Sequence, residues 1–130
     1  NKTHYMQRYP REYFLQRVMA GEFYLALDEQ EKPAGIMALL TEDPRWEGSE
    51  PKNCYYVHHL AARTGAKGAG RALLRFCEEL SRQEGREVVR LDCQLGNRKL
   101  NDFYESLGYE YAGPMVEGEY EGIKREKKLD

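Results

Sequence analysis

The run Gly65-Ala66-Lys67-Gly68-Ala69-Gly70-Arg71-Ala72-Leu73-Leu74 is where residue type and spacing first suggest chemistry. Glycines let a ligand approach the backbone closely, and free N–H groups at a helix start attract anionic phosphate. Two phosphate-binding patterns can be tried on it. Gly65 and Gly70 have the spacing of GxxxxGK[ST], but Arg71-Ala72 stands where a lysine and a hydroxyl belong, so magnesium-nucleotide binding is unsupported. Gly68 and Gly70 begin GxGxxG, which fails at Leu73, and a dinucleotide fold needs more parallel strands than this chain has room for. Taken alone, the run reads equally well as an ordinary turn between a strand and a helix.

Four other groups carry candidate chemistry. His58 and His59 are neighbours in an extended run, so the pleat predicts that they face opposite sides. A neutral imidazole is a competent base near pH 7, and His58, on the face of Tyr56 and Leu60, is the chosen candidate; a packed strand histidine is the plain alternative. Two such histidines cannot chelate one metal, and no HExxH or Cys/His cluster is present, so no metal is expected. Cys93 beside Asp92 has no histidine near it in sequence and reads as a small buried hydrophobe rather than a nucleophile. Lys67, Arg71 and Arg75 form a local basic run that suits phosphates, although a solvated helix face explains Arg75 equally well. Trp46, in an acidic stretch with Glu42, Asp43, Glu47 and Glu50, reads either as a cover over the substrate or, as a lone loop Trp more often does, as an anchor of that stretch; the acids hint at a cationic substrate, with a merely solvated loop as the plain alternative.

The elements that must position these groups follow from periodicity and punctuation. Residues 10–20 read as a helix, with Pro10 in the first turn and Phe14, Leu15 and Val18 at helical spacing. Residues 23–28 and 34–40 predict a hairpin, 41–53 a loop, and 54–62 a third strand rich in aromatic and branched residues. Residues 71–84 predict the best helix, with Leu73, Phe76, Cys77 and Leu80 as its buried stripe and Gly85 as its stop. A strand at 88–93 follows, then a helix at 98–107 between the N-cap Asn97 and the stop Gly108. Strands at 109–115 and 119–129 close the chain. The resulting class is mixed α/β (α+β), with helices packed on a sheet.

Composition narrows the function classes. The chain has 130 residues, a length suited to a single domain over residues 1–130. Its 20 basic and 22 acidic residues nearly cancel, to a net charge of −2, which disfavours nucleic acid as a partner. No apolar run approaches a membrane span, and no signal-peptide pattern opens the chain. Three scattered cysteines without a CxxC suggest a reducing, cytoplasmic setting. Residue 1 is Asn, so the natural start is expected to lie upstream.

Two of these segments together resemble the GCN5-related N-acetyltransferase (GNAT) superfamily. Gly65–Gly70 and the first turns of the helix after it are similar to the family's pyrophosphate motif, [QR]-x-x-G-x-[GA], with Gly65 in place of the Gln or Arg. Asn97 to Tyr109 resembles its second motif, N-x-x-A-x-x-x-Y-x-x-x-G-F, in the spacing from Asn97 to Tyr104 and in the pair Gly108-Tyr109. Leu60-Ala61-Ala62 looks like the end of its acetyl-CoA strand. The resemblance implies a mainly antiparallel central sheet flanked by helices, without the family's first strand and helix. It implies an acetyl-CoA-dependent N-acetyltransferase acting on a small-molecule or protein amine, with a non-catalytic acyl-CoA-binding module as the alternative, and it admits a homodimer. The implied coenzyme contacts are Leu60, Ala61, Ala62, Lys67, Gly68, Ala69, Gly70, Arg71, Ala72, Asn97 and Tyr104.

Acetyl transfer sets chemical demands that these residues can be held against. A lysine-like amine titrates near 10.4, so only about one molecule in 2,500 is neutral at pH 7 and a base such as His58 matters. The departing thiolate needs a proton, and a tyrosine, titrating near 10, stays protonated and able to donate. The resemblance makes Tyr104 that donor; the plain alternative is a core tyrosine packed beside Phe103.

Overall fold

A computed structural model describes residues 23–130 together with the backbone of residues 14–18. Among the described residues, seven strands and two helices follow one another as β1 (Phe14–Val18), β2 (Phe23–Leu27), β3 (Pro33–Leu40), β4 (Cys54–Ala62), α1 (Ala69–Gln83), β5 (Val88–Gln94), α2 (Arg98–Ser106), β6 (Glu110–Glu117) and β7 (Tyr120–Lys128). The expected mixed fold with a mainly antiparallel sheet is therefore present.

One element differs from its sequence reading. Residues 14–18, expected inside a helix over 10–20, are strand β1, paired antiparallel with β2 from Phe14↔Leu27 to Val18↔Phe23. Local helical spacing is a weak preference, and a partner strand that takes up the backbone hydrogen bonds overrides it. The remainder of that expected helix lies outside the described residues.

Two compact units divide the chain. The first holds the described residues up to Leu40 and Val57–Leu80, with strand order β1-β2-β3-β4. Its core is Tyr24, Ala26, Met37 and Leu39 from the strands against Leu73, Leu74, Phe76 and Cys77 from α1. The Tyr24 and Phe76 rings meet at 5.2 Å. Gly35 allows this close packing: a Cβ there would come within 3.1 Å of both the Ala61 carbonyl oxygen and Leu73 Cδ1.

The second unit holds Thr41–Tyr56 and Ser81–Asp130, with order β4-β5-β7-β6. β4 and β5 are parallel through Cys54↔Val88, Tyr55↔Val89 and Tyr56↔Arg90, while β5, β7 and β6 are antiparallel. The acidic loop, residues 41–53, is a strap held by side chains. Trp46, in a 3₁₀ turn over Pro44–Trp46, is buried with Cys54, Tyr56 and Val88. The Arg90 guanidinium lies 4.5 Å and Lys124 Nζ 5.1 Å from its ring centroid, positions favourable to cation–π attraction. Trp46 therefore anchors the strap, as expected of it.

Candidate active site

Within the first unit, the glycine spacing has a geometric cause. The Ala66 amide donates to the Arg63 carbonyl at 2.9 Å, and the Ala69 amide reaches the Ala66 carbonyl at 3.4 Å, giving two successive four-residue turns. Gly65 and Gly68 each occupy the third position, with φ of +87° and +89°, a conformation that favours glycine. The second turn delivers the chain into α1, whose first-turn N–H groups have no acceptor inside the helix. Gly70 is half-buried and Arg71 exposed, so this end of α1 is open to a ligand, while Ala69 and Ala72 are buried beneath it. Leu60 is half-buried at the end of β4, and Ala61, Ala62 and Lys67 are exposed.

The histidines depart from expectation. His59 has φ +56°, a left-handed residue in the middle of β4 that interrupts the alternation of the pleat. Its ring centroid lies 6.1 Å from that of His58, so the two side chains are neighbours rather than on opposite faces. His59 stacks on Phe23 at 6.0 Å, and His58 is half-buried.

Within the second unit, Asn97 Oδ1 accepts from the Leu100 amide at 3.1 Å and caps α2, which leaves its amide nitrogen as the side chain's donor. Tyr104 lies two turns further along α2. Its ring is buried between Phe103 and Tyr109, at centroid distances of 5.6 and 6.1 Å. Burial first, and then the charges of Cys93, Asp92 and Tyr120, hold its hydroxyl proton well above the usual phenol range. Tyr104 is therefore a protonated hydroxyl at neutral pH.

Asn101 seats α2 on β5. Its Nδ2 donates to the Gln94 and Asn97 carbonyls, and its Oδ1 accepts from Arg125 Nε at 3.1 Å and from the Cys93 thiol at 3.2 Å. Burial raises the Cys93 thiol above its ordinary value, so this cysteine is a protonated donor, in keeping with its sequence reading as a packed residue.

A polar group at the end of β5 escaped the sequence reading. Tyr120 Oη donates to Asp92 Oδ1 at 3.0 Å, and Arg45 Nη1 donates to the same oxygen at 3.2 Å. Arg45 also holds Glu117 through Nε and Nη2, and its guanidinium lies over the Tyr120 ring at 5.1 Å. Burial, and next the Asp92 charge, push Tyr120 up to about 12. No spacing rule links positions 45, 92 and 120; the antiparallel pairing of β5 with β7 and the strap bring them together. A hollow of about 420 Å³ against the strap is lined in part by Glu42, Asp43, Glu47, Trp46, Tyr56 and Arg90, so it gathers most of the acidic stretch but none of the expected coenzyme or proton-transfer residues.

Among the described residues, no group of three or more His, Cys, Asp or Glu side chains is placed to hold a metal ion, and no helix is long and apolar enough to cross a membrane.

The pattern of the acetyltransferase (GNAT) family matches residues 1–109. The chain is also similar to the uncharacterized N-acetyltransferase YesJ of Bacillus subtilis, at 28% identity over 97 residues, or 69% of this chain and 54% of that protein. It therefore spans about half the length of that curated relative. Among solved structures, a GNAT-family acetyltransferase from Listeria monocytogenes matches with a TM-score of 0.69 at 24% identity, covering 84% of this chain and 65% of that one. The NatC complex bound to Gag peptide and CoA matches with a TM-score of 0.67 at 18% identity, covering 85% of this chain and 72% of that one. The likeness to these solved structures is one of fold.

Proposed function

The chain belongs to the GNAT family of acetyltransferases, and from that premise we propose that it is a GNAT-type domain over residues 1–130 that transfers the acetyl group of acetyl-CoA to a primary amine of a small molecule or protein. The reaction is direct attack of the amine on the bound thioester. The observation that carries this reading is the pair of glycine turns that deliver the chain into α1, because the helix start they create offers backbone N–H groups to an anion.

In this reading the amides of Gly68, Gly70 and Arg71 receive the pyrophosphate, with Lys67 supplying positive charge nearby. The end of β4, Leu60 to Ala62, lies along the pantetheine arm, and Asn97 donates its free amide N–H to that arm. Tyr104 is the proton donor to the departing thiolate. Its firmly held proton keeps it a donor across the working pH range, which an acyl-CoA-binding module would not require.

The test is thiol release from acetyl-CoA by the full chain against a panel of primary amines. Amine-dependent release is expected; coenzyme binding without release for any amine would leave the binding-module reading in its place.

A further inference from the structure

We propose that Tyr120, oriented by Asp92, is the group that takes the proton from the acceptor nitrogen during acetyl transfer. This rests on the transferase reading above. Three geometric facts carry it. Tyr120 gives its only hydroxyl hydrogen to Asp92 Oδ1 at 3.0 Å, so the lone pairs of its oxygen remain to accept an N–H. The Asp92 carboxylate is 7% exposed and is also held by Arg45, which donates to the same oxygen at 3.2 Å, so the pair is oriented before any substrate arrives. Asp92 and Tyr120 both lie near enough to the Tyr104 hydroxyl to act on it electrostatically, so the pair and the proposed proton donor share one neighbourhood of the second unit.

The step balances. As the neutral amine nitrogen bonds to the thioester carbonyl carbon it gains positive charge and becomes acidic. Its proton passes to Tyr120 Oη while the original Tyr120 proton passes to Asp92 Oδ1. The C–S bond breaks with its electron pair on sulfur, and Tyr104 protonates that sulfur. Return of the proton from Asp92 to the Tyr104 oxygen through solvent restores both groups. Tyr120 alone cannot act as a base at neutral pH, since it keeps its proton up to about 12, and the carboxylate behind it removes that obstacle.

The charged and titratable groups around the pair are Arg45 on the strap, Glu117 on β6, Lys124 opposite Asp92 on β7, Cys93 on β5 and Tyr104 on α2. Lys124 Nζ is engaged with Ser49 Oγ at 3.1 Å, which leaves Arg45 as the cation in contact with Asp92. In this scheme Tyr120 is the catalytic residue and Asp92 its positioning residue.

The test compares two acceptors in kcat/KM, phenethylamine and aniline, with the wild type, Tyr120→Phe and Asp92→Asn. Phenethylamine forms a weakly acidic ammonium that needs a base, whereas the nitrogen of aniline sheds its proton to water readily. Tyr120→Phe keeps the ring beneath Arg45. Both variants should lose about 10²- to 10⁴-fold with phenethylamine but less than about tenfold with aniline, while the acetyl-CoA KM stays within a few-fold. Losses that are equal for the two amines, or near-normal rates with phenethylamine, overturn the proposal. A wild-type chain that binds acetyl-CoA but acetylates neither these two amines nor any other of the panel overturns the transferase reading and this proposal with it.

Discussion

Arg125 Nε donates to Asn101 Oδ1 at 3.1 Å, joining β7 to α2 in the interior of the second unit. Arg125 Nη1 donates to the Tyr109 carbonyl at 2.9 Å, so this buried cation is held by neutral oxygens. Asn101 in turn holds β5, and Tyr104 follows it on α2 by three residues, about one turn. The placement of the candidate proton donor thus depends on one amide side chain. Asn101→Ala should lower stability by about 1.5–3 kcal/mol, because it strips a hydrogen-bond partner from a buried charge. Urea unfolding measures this; a change near zero would show that Arg125 finds another partner.

The glycine turns make a paired prediction. Gly65 and Gly68 share the left-handed backbone, so Val at either position strains a turn to a similar degree. Only Gly68 lies beside the proposed pyrophosphate amides, and a Cβ on Gly65 would meet nothing within 4 Å. Gly68→Val should weaken acetyl-CoA binding at least about tenfold beyond Gly65→Val, read by calorimetry. Equal affinities in the two variants would remove the turn from the coenzyme site.

Tyrosine ionisation offers a pH test with a definite sign. Phenols titrate near 10 in an unfolded chain, whereas Tyr120 keeps its proton to about 12 and Tyr104 is also raised, in both cases chiefly by burial. The folded state therefore binds more protons above pH 10 than the unfolded state does. The stability tied to these protons is complete below pH 10 and is lost as pH rises through the folded values. Ultraviolet titration should show Tyr120→Phe removing absorbance change near pH 12 while leaving the rise near pH 10 unaltered. Loss from the lower rise would mean that Tyr120 titrates as an ordinary phenol.

Trp46 is the chain's only tryptophan, so its fluorescence reports the strap directly. Trp46→Ala removes a buried indole and should cost about 3–5 kcal/mol. Trp46→Phe should cost much less, since the indole Nε1 is buried with no hydrogen-bond partner and its removal relieves a desolvated donor. Comparable losses in both variants would show that the indole nitrogen matters after all.

The parts of the fold that were legible in the sequence are those with local causes. Asn97 and Gly108 mark the ends of α2 because an N-cap acceptor and a left-handed stop act within a few residues; Gly108 has φ +97°. The buried stripe of α1 shows at Leu73, Phe76 and Cys77 for the same reason. What could not be read depends on distant partners. β1 is a strand because β2 lies beside it. The left-handed backbone of His59 carries no residue-type marker, so the alternation argument placed its ring on the wrong side of His58. Asp92 and Tyr120 lie 28 residues apart, and only the β5–β7 pairing makes them one group.

The central claim, acetyl transfer with Tyr104 as proton donor, is tested most directly by steady-state kinetics on Tyr104→Phe with a verified amine acceptor. The substitution deletes one hydroxyl and keeps the ring between Phe103 and Tyr109. The predicted result is a fall in kcat of about 10²- to 10⁴-fold, with acetyl-CoA affinity within a few-fold and melting temperature nearly unchanged. Turnover near the wild-type rate, with chemistry rate-limiting and a small loss of stability, would contradict it and leave Tyr104 as a core residue.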